Sequence, residues 1–218
     1  MVSAALLSCI FLGQEAKYKL LISPKVDEKV TYEVSMNVTG DDPFQVAGKI
    51  EYNVDKVERD GSKTLTSTQK GMILRFGGGQ EIRDDSPRTT QRKFGMSGEM
   101  QRSSDMDADS ELRMSRLFWP NLPTIEFPVG SAWKMTELDR GKEGRVIAYK
   151  FSSVETQGEF QVAVIQYSLK EGAKNGMSAT GEFRINLKDG WLESSHSKVE
   201  NFEGEPGQKA DVKYTRIH

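Results

Sequence analysis

The sequence predicts an all-β protein with one short helix, built as a curved antiparallel sheet or half-barrel, or as two packed β-meanders. Apolar residues occupy every second position from Val30 to Val38, a spacing typical of a strand with one buried face. Turn-forming pairs such as Asp60-Gly61 and Asn175-Gly176 recur between such stretches, as they do in hairpins. We expect one compact domain, because single β domains often run to about 200 residues.

The charge balance argues against nucleic acid as a partner. The chain has 218 residues, and its 30 basic and 32 acidic side chains give a formal net charge of -2. These charges are mixed along the sequence, so we expect no strong field to attract nucleic acid or acidic lipid. Hydrophobic residues make up 36% of the chain, which is enough to build a core.

The N-terminal segment predicts export. Residues 2–13 are apolar and uncharged, which is typical of the hydrophobic part of a signal peptide, and a buried first strand is the alternative. The run is shorter than the roughly 20 residues of a membrane-spanning helix. We therefore predict a signal peptide over residues 1–16, no transmembrane helix in the mature chain, and a periplasmic or extracellular location.

Cys9 is the only cysteine, which excludes an internal disulfide and a CxxC redox or zinc motif. Residues 6–9, Leu-Leu-Ser-Cys, look like a degenerate lipobox, the signal for lipid attachment to Cys in bacterial lipoproteins. The apolar run continues after Cys9, whereas lipoproteins usually turn polar there. We therefore favour soluble export, with a membrane anchor through Cys9 as the alternative.

The first meander is predicted over residues 17–85, with a first strand at residues 18–22 pairing into it. The following segment, residues 86–128, is predicted as a loop over 86–109, a helix over 110–117 that Trp119-Pro120 ends, and a Pro-rich connector. The second meander occupies residues 129–218. Its strand at 160–169 is apolar on both sides and should lie centrally, covered on both faces.

The two meanders share one spacing pattern. Ile50, Tyr52 and Val54 recur as Ile147, Tyr149 and Phe151 at an offset of 97 residues, each set followed by Val-Glu and a turn glycine. Duplicated meanders would explain the match. So would the ordinary alternation of any two hairpins or one continuous curved sheet, and the sequence leaves this open.

No residue pattern predicts a catalytic, cofactor or metal site. His196 and His218 are the only histidines, and Ser97 lies in Gly-Met-Ser-Gly, which lacks the final glycine of a nucleophile elbow. The acidic residues of 105–111 resemble the start of a calcium loop, but Arg116 stands where the bidentate Glu should be. We therefore expect a protein that is not an enzyme and needs no cofactor.

The order of parts resembles a group of uncharacterised exported bacterial β proteins. The matching features are the signal, a first strand with Tyr18, and residues 57–61, 123–133 and 181–190, and they cover most of the mature chain. In layout alone, the chain is similar to the LolA and LolB lipoprotein carriers. That similarity implies a curved half-barrel that holds acyl chains on an apolar concave face, and it transfers no site residue.

Two functions follow as hypotheses. The first is a binding or carrier module whose concave face accepts an apolar ligand such as a lipid or a lipoprotein acyl chain, although an ordinary closed core needs the same side chains. The second is a structural or protein-interaction module of the cell envelope that uses sheet edges or the Met-rich residues 94–114. The candidate ligand face consists of Val34, Met36, Tyr52, Val54, Phe151 and Phe183.

Overall fold

The computed structural model describes residues 16–21, 23–101, 108–139 and 142–218. Cys9 and all of the predicted signal peptide except Ala16 lie outside these residues. The strands are β1 (Lys17–Tyr18), β2 (Lys29–Thr39), β3 (Phe44–Val57), β4 (Lys63–Phe76), β5 (Glu81–Asp84), β6 (Arg88–Phe94), β7 (Phe127–Pro128), β8 (Ala132–Asp139), β9 (Lys142–Gln157), β10 (Phe160–Glu171), β11 (Ser178–Asn186), β12 (Leu192–Glu200) and β13 (Lys209–Ile217). Helix α1 (Ala108–Phe118) lies between β6 and β7.

Eleven strands of the described chain form one antiparallel sheet. Their order is β5-β4-β3-β2-β13-β12-β11-β10-β9-β8, and β6 pairs with β4 beside β5. The prediction of an all-β protein with one short helix and an antiparallel sheet is confirmed. The two meanders are the two sides of this one sheet, joined where β2 pairs with β13.

One face of the sheet, which we call the inner face, carries the core. Directly opposed residues of neighbouring strands share a face, so pairs such as Val34 and Tyr214 mark it from strand to strand. On β2 the residues Val30, Tyr32, Val34 and Val38 are buried, and the residues between them are mostly exposed. The predicted period of two is therefore the alternation between core and solvent.

The chain after α1 fills the centre of the inner face. Trp119 packs its ring against Tyr52 at a centroid distance of 5.4 Å, and against rings of two other segments, Phe94 at 5.7 Å and Trp191 at 6.0 Å. It also contacts Tyr32 at 6.4 Å. Helix α1 ends at Phe118, directly before Trp119-Pro120 and one residue beyond the predicted end, and Trp119 then connects both sides of the sheet.

Charged side chains hold α1 on the β8–β10 side of the sheet. Arg113 of the helix contacts Glu171 at 2.8 Å, and Arg116 contacts Glu137. Arg145 lies between the two carboxylates, 3.2 Å from Glu171 and 3.5 Å from Glu137. Arg116 and Glu171 are almost completely buried. Removing one partner of a buried ion pair strongly destabilises a protein, because the other charge stays buried without a partner. This network therefore holds the helix on the sheet.

A glycine allows the helix to sit close to β12. Tyr167 donates a hydrogen bond to Ser197 Oγ at 2.6 Å, and Ser197 donates to the Leu117 carbonyl at 3.3 Å. Gly181 lies between Tyr167 and Ser197 across the strands. A Cβ at Gly181 would collide with the His196 carbonyl and lie 2.8 Å from the Tyr167 ring. Tyr167 can cross the sheet there only because position 181 has no side chain.

Three local predictions are corrected by the structure. The loop predicted over residues 86–109 contains β6, which pairs with β4; only Phe94 of this strand is buried, so it lacks the apolar alternation that reveals strands. The first strand is only Lys17–Tyr18, and it pairs with β7 rather than with the first meander. Helix α1 begins at Ala108, two residues before the predicted Ser110 cap.

Strand β10 corresponds to the predicted strand 160–169, but it is third from the β8 end of the sheet order and not central. Strand β10 lies between β9 and β11, and Val162, Ala163, Val164 and Ile165 are all buried. Its inner face packs in the core through residues such as Ile165 and Tyr167.

Candidate functional site

All six predicted ligand-face residues lie on the inner face. Val34, Met36, Tyr52 and Val54 share it on β2 and β3, and Phe151 and Phe183 share it on β9 and β11. They do not form one open groove. Val54, Phe151 and Phe183 have no exposed surface and Val34 is 8% exposed, so these four are core residues, whereas Met36 and Tyr52 are partly exposed.

An apolar strip continues from this core across β2 to β5. Met36 lies opposite Val46, Val46 opposite Leu74, and Leu74 opposite Ile82, so the four side chains form one row on the inner face. A second row runs beside it. We define the apolar strip by these two rows: Met36, Val46, Leu74 and Ile82 in the first, and Phe44 and Phe76 in the second.

Exposure rises along the strip toward the sheet edge. Val38, which lies opposite Phe44 in the core next to the second row, is 1% exposed, whereas Phe44 is half-buried and Phe76 is 39% exposed. In the first row Ile82 reaches 46% exposure. Large apolar side chains that are adjacent and half-exposed are typical of a ligand surface, whereas scattered single ones are not.

The length of the strip fits one acyl chain. Neighbouring strands lie about 4.8 Å apart, so the three steps from β2 to β5 span about 14 Å. Half of a bilayer's hydrocarbon core, which one acyl chain fills, is about 15 Å. An aliphatic chain lying across β2 to β5 would therefore contact every side chain of the first row.

A bulge shapes the floor of the strip. Strand β4 has an extra residue where Gly71 and Met72 face the single Gly48 of β3, and Gly71 adopts a φ of 57°. A Cβ at Gly48 would collide with the Met72 sulfur. Met72 therefore occupies the inner-face space that Gly48 leaves empty, which adds a flexible, polarisable side chain to the floor.

Tyr32 and Tyr52, which share the inner face with the strip, are uncharged at neutral pH. Burial raises the pKa of Tyr52, although the neighbouring Tyr214 and Trp119 act in the opposite direction. Burial likewise raises the pKa of Tyr32 far above its usual value. Neutral phenols present an apolar ring and one polar tip, which is compatible with an apolar ligand nearby.

The opposite face of the sheet carries a cleft of about 440 Å³ above the same strands. Its floor includes Ala47, Gly71 and Ile73, and lysines stand on its rim. The charges there are balanced, because Lys70 pairs with Glu51 at 3.1 Å and Lys213 with Asp211 at 3.8 Å, while Lys49 lies opposite Glu33. The cleft therefore has no net charge to select an anion.

A polar pocket of about 360 Å³ lies at the end of β13. Arg216 contacts Asp189 at 2.8 Å and the buried Glu193 at 3.0 Å, and His218 contacts Glu193 at 2.7 Å. Asn186 donates a hydrogen bond to Glu193 at 2.9 Å. Every charge of this cluster has an opposite partner, so the cluster is explained as a structural ion-pair network.

His196 lies on β12 with an exposed side chain. It lies 2.9 Å from Asp211, and both side chains are well exposed. Within the described parts of the chain, no group of three or more His, Cys, Asp or Glu side chains is placed to hold a metal ion. Over those same residues, no helix has the length and apolar character needed to cross a membrane.

Sequence reasoning missed most of the apolar strip. Phe44 and Val46 precede Ile50, where the predicted third strand begins, and Ile82 belongs to β5, which was not predicted. Alternation in residues 44–50 was the signal that could have revealed the longer strand. Strand β5 has four residues, of which Ile82 alone is hydrophobic, so it gives no periodic signal.

Comparisons with known proteins add little to this geometry. No family model and no curated protein matches the chain. Among solved structures, the chain is similar to a Bacteroides fragilis protein with a YmcC-like fold, whose name describes it as one believed to be exported. The two are 10% identical, the match covers 88% of this chain and 96% of the other, and the TM-score is 0.32. This likeness is too distant to define fold or function, and the similarity in layout to LolA and LolB stays a prediction.

Proposed function

We propose that this chain is an exported envelope protein that binds one acyl chain of a lipid or lipoprotein along the apolar strip. The observation that carries the proposal is the exposure of the strip, which rises from a closed core at Val38 to 39% at Phe76 and 46% at Ile82. A water-exposed apolar row that continues a core stabilises any aliphatic chain laid on it. Each buried methylene contributes about 0.8 kcal/mol.

The strip suits a flexible aliphatic chain. Its members are aliphatic, aromatic or thioether side chains, and no charged residue lies among the six. The closed β9–β12 side of the inner face has no comparable free surface, since Phe151, Ile165 and Phe183 are fully buried there. The proposed ligand therefore lies on the β2–β5 side, away from two of the residues that the sequence had suggested.

The test is binding of a fluorescent fatty acid to the purified chain. Val46→Asp places a charge in the first row of the strip and should raise the dissociation constant at least tenfold, because a buried carboxylate opposes an apolar ligand. Ala47→Asp is the matched control, since its side chain points to the opposite face one residue away. We expect it to bind like the wild type.

Two results would contradict this proposal. One is the absence of saturable binding by the wild-type chain at probe concentrations well below micelle formation. The other is an equal loss of affinity in the Val46→Asp and Ala47→Asp chains, which would place the probe elsewhere. Circular dichroism spectra of both variants show whether the sheet is intact.

A second candidate function is a protein-interaction module of the envelope. The filled core favours it, because Val54, Phe151 and Phe183 are fully buried and leave no free surface for a ligand. Strand β8 also ends the sheet order, so one of its edges is unpaired among the described strands. The fatty-acid experiment separates the two candidates, because a partner-binding module has no reason to bind the probe at Val46.

A further inference from the structure

A further cleft, of about 430 Å³, lies on the C-terminal side of the sheet. Strands β9 to β12 form it, and its side chains alternate with inner-face residues such as Tyr167, so it opens on the face opposite to the apolar strip. Two rows of directly opposed residues line it, and we call it the lysine cleft. The rows are Val146, Lys170, Ser178 and Glu200, and Ala148, Ser168, Thr180 and Lys198.

Hydrogen-bond donors surround the centre of the lysine cleft. Lys170 on β10 and Lys198 on β12 stand on either side of β11. Three hydroxyl side chains lie between and beside them, those of Ser168, Ser178 and Thr180. Over the part of the chain that the structure describes, none of these three hydroxyl groups has a hydrogen-bond partner. The cleft therefore presents three free hydroxyl donors to a ligand.

The lysine cleft has an excess of positive charge. Among the described residues, neither the Lys170 nor the Lys198 ammonium group takes part in an ion pair. Glu200 is the acidic residue of the cleft, and it contacts Lys209 at 3.1 Å, so its charge is already compensated. Asp211, opposite Lys198, is likewise held 2.9 Å from a histidine and 3.8 Å from another lysine. Two lysine charges are thus left to attract an anion.

The other two cavities lack this combination. In the cleft of about 440 Å³ above β2 to β4, the lysines contact or face carboxylates. In the pocket at the end of β13, Arg216 already contacts Asp189 and Glu193. Only in the lysine cleft do uncompensated cations and free hydroxyl groups meet within the described residues.

We infer that the lysine cleft binds a small phosphate monoester. Such a group carries about -1.5 to -2 charges at neutral pH and has three acceptor oxygens. These match two lysine cations and three hydroxyl donors, whereas a carboxylate offers one charge and two oxygens. The cleft volume is that of a small-molecule site. The organic part of the ester then lies against Val146, Ala148 and the methylene groups of the lysines.

This inference goes beyond the proposed function and does not depend on it. The apolar strip belongs to the inner face of β2 to β5, whereas the lysine cleft belongs to the opposite face of β9 to β12. The two sites share no residue. A ligand in one leaves the other free.

The test is a titration of the full chain with n-butyl phosphate at about 0.15 M salt, followed by amide-resolved NMR spectroscopy. We expect saturable shifts of the amide signals of β10 and β11. Lys170→Gln with Lys198→Gln removes both cations and should raise the dissociation constant roughly tenfold or more, because charge-assisted hydrogen bonds are the strong ones. Ser168→Ala with Thr180→Val keeps the charge and should raise it roughly threefold or more.

Matched controls change the same charge or remove one part of the probe. Lys49→Gln with Lys70→Gln removes two lysines from the same face of the sheet, at the cleft above β2 to β4. It should bind within about twofold of the wild type, because charges several strands away are screened at this ionic strength. Inorganic phosphate should bind more weakly than the ester, because it has no organic part to lie against Val146 and Ala148.

Three results would overturn the inference. The first is the absence of saturable binding of n-butyl phosphate by the wild-type chain. The second is an equal loss of affinity in Lys170→Gln with Lys198→Gln and in Lys49→Gln with Lys70→Gln, which would mean general attraction to a charged face. The third is equal affinity for inorganic phosphate and the ester. Circular dichroism shows whether each variant keeps its sheet, and the Ser168→Ala with Thr180→Val chain tests the site without any change of charge.

Failure of this inference and failure of the proposed function give different results. Val46→Asp should lose the fluorescent fatty acid and keep its affinity for n-butyl phosphate. Lys170→Gln with Lys198→Gln should lose n-butyl phosphate and keep the fatty acid, because neither lysine belongs to the apolar strip. A chain that binds neither probe contradicts both proposals.

Discussion

The two sides of the sheet share one pattern of apolar residues, but these residues are more deeply buried on the C-terminal side than on the N-terminal side. On β9 of the C-terminal side, Ile147 is fully buried and Tyr149 is 1% exposed. Their counterparts on β3, Ile50 and Tyr52, share the 97-residue spacing and the inner face but are only partly buried. Whether the two sides arose by duplication stays a prediction.

The difference comes from what lies on the sheet. Helix α1 packs on β12 and is tied to Glu171 and Glu137 on the C-terminal side. The N-terminal side is covered near Trp119 and becomes open toward Phe76. Alternation in a sequence therefore identifies which face is apolar, while only the tertiary structure decides whether that face is core or binding surface.

The largest expected effect separates the covered side from the open side. Phe183→Ala deletes a fully buried ring and should lower the free energy of unfolding by about 3–5 kcal/mol. Phe44→Ala, on the half-buried strip, should cost clearly less. Urea denaturation of both variants measures the difference. Equal losses would mean that the strip is as closed as the core.

The next prediction concerns the ion pairs that hold α1. Glu171→Ala leaves Arg113 and Arg145 without their shared carboxylate and removes the acceptor of the buried Met177 amide, at a cost of about 3 kcal/mol. Glu200→Ala is the control, because Glu200 pairs with Lys209 in an exposed position and should change stability by less than about 1 kcal/mol. Hydrogen exchange of α1 should accelerate in the first variant alone.

Lys63, a buried residue of β4, should make the free energy of unfolding depend on pH above neutrality. Burial lowers the pKa of Lys63 from 10.5 to about 8, although Glu99 acts to raise it. Between these values the unfolded chain binds the proton more tightly than the folded chain, so the free energy of unfolding rises with pH. From pH 7 to pH 10 this group should contribute roughly 2–3 kcal/mol of that rise.

Lys63→Met should remove this part of the pH dependence, which urea denaturation at several pH values measures. Lys56→Met provides the control, since Lys56 is exposed and pairs with Glu58 at the surface. Above pH 8, the free energy of unfolding could change with pH equally in the wild type and in Lys63→Met. That result would show that Lys63 is not held in a desolvated state.

The smallest effect is expected at the exposed end of the strip. Phe76→Ser removes an apolar side chain that is already 39% exposed, so the free energy of unfolding should change by less than about 1 kcal/mol. A loss as large as that of Phe183→Ala would show that Phe76 is a core residue. The same variant should weaken fatty-acid binding, which would separate function from stability.

The fold class could be predicted from the sequence because strands with one buried face have an apolar residue at every second position. Val30, Tyr32 and Val34 predict strand β2, because every second side chain of that strand lies in the core. Strand β6 escaped prediction because backbone pairing with β4 holds it in place while its side chains remain mostly exposed. Strands of this kind contribute hydrogen bonds and little hydrophobic signal.

The six candidate ligand-face residues all lie on the inner face, and their role in binding a ligand stays a prediction. Met36 belongs to the strip, whereas Val54, Phe151 and Phe183 are fully buried in the core, where Phe151 packs on Tyr18 and Phe183 on Tyr167. Trp119 was predicted only as a helix stop, because its contacts with both sides of the sheet depend on distant residues. No local pattern contains the information that one ring will cover Tyr32 and Tyr52 together.

The pairing of β2 with β13 has a consequence for the order of folding. Each side of the sheet is a meander whose strands are close in sequence, so each can form from short loops at little entropic cost. The seam between them pairs Thr31 with Ile217 and Thr39 with Lys209, residues from opposite ends of the described chain. Pulse-labelled hydrogen exchange should therefore find the hairpins protected first and the seam last. Until the final strand is in place, the two halves are separate folding units with one unpaired edge each.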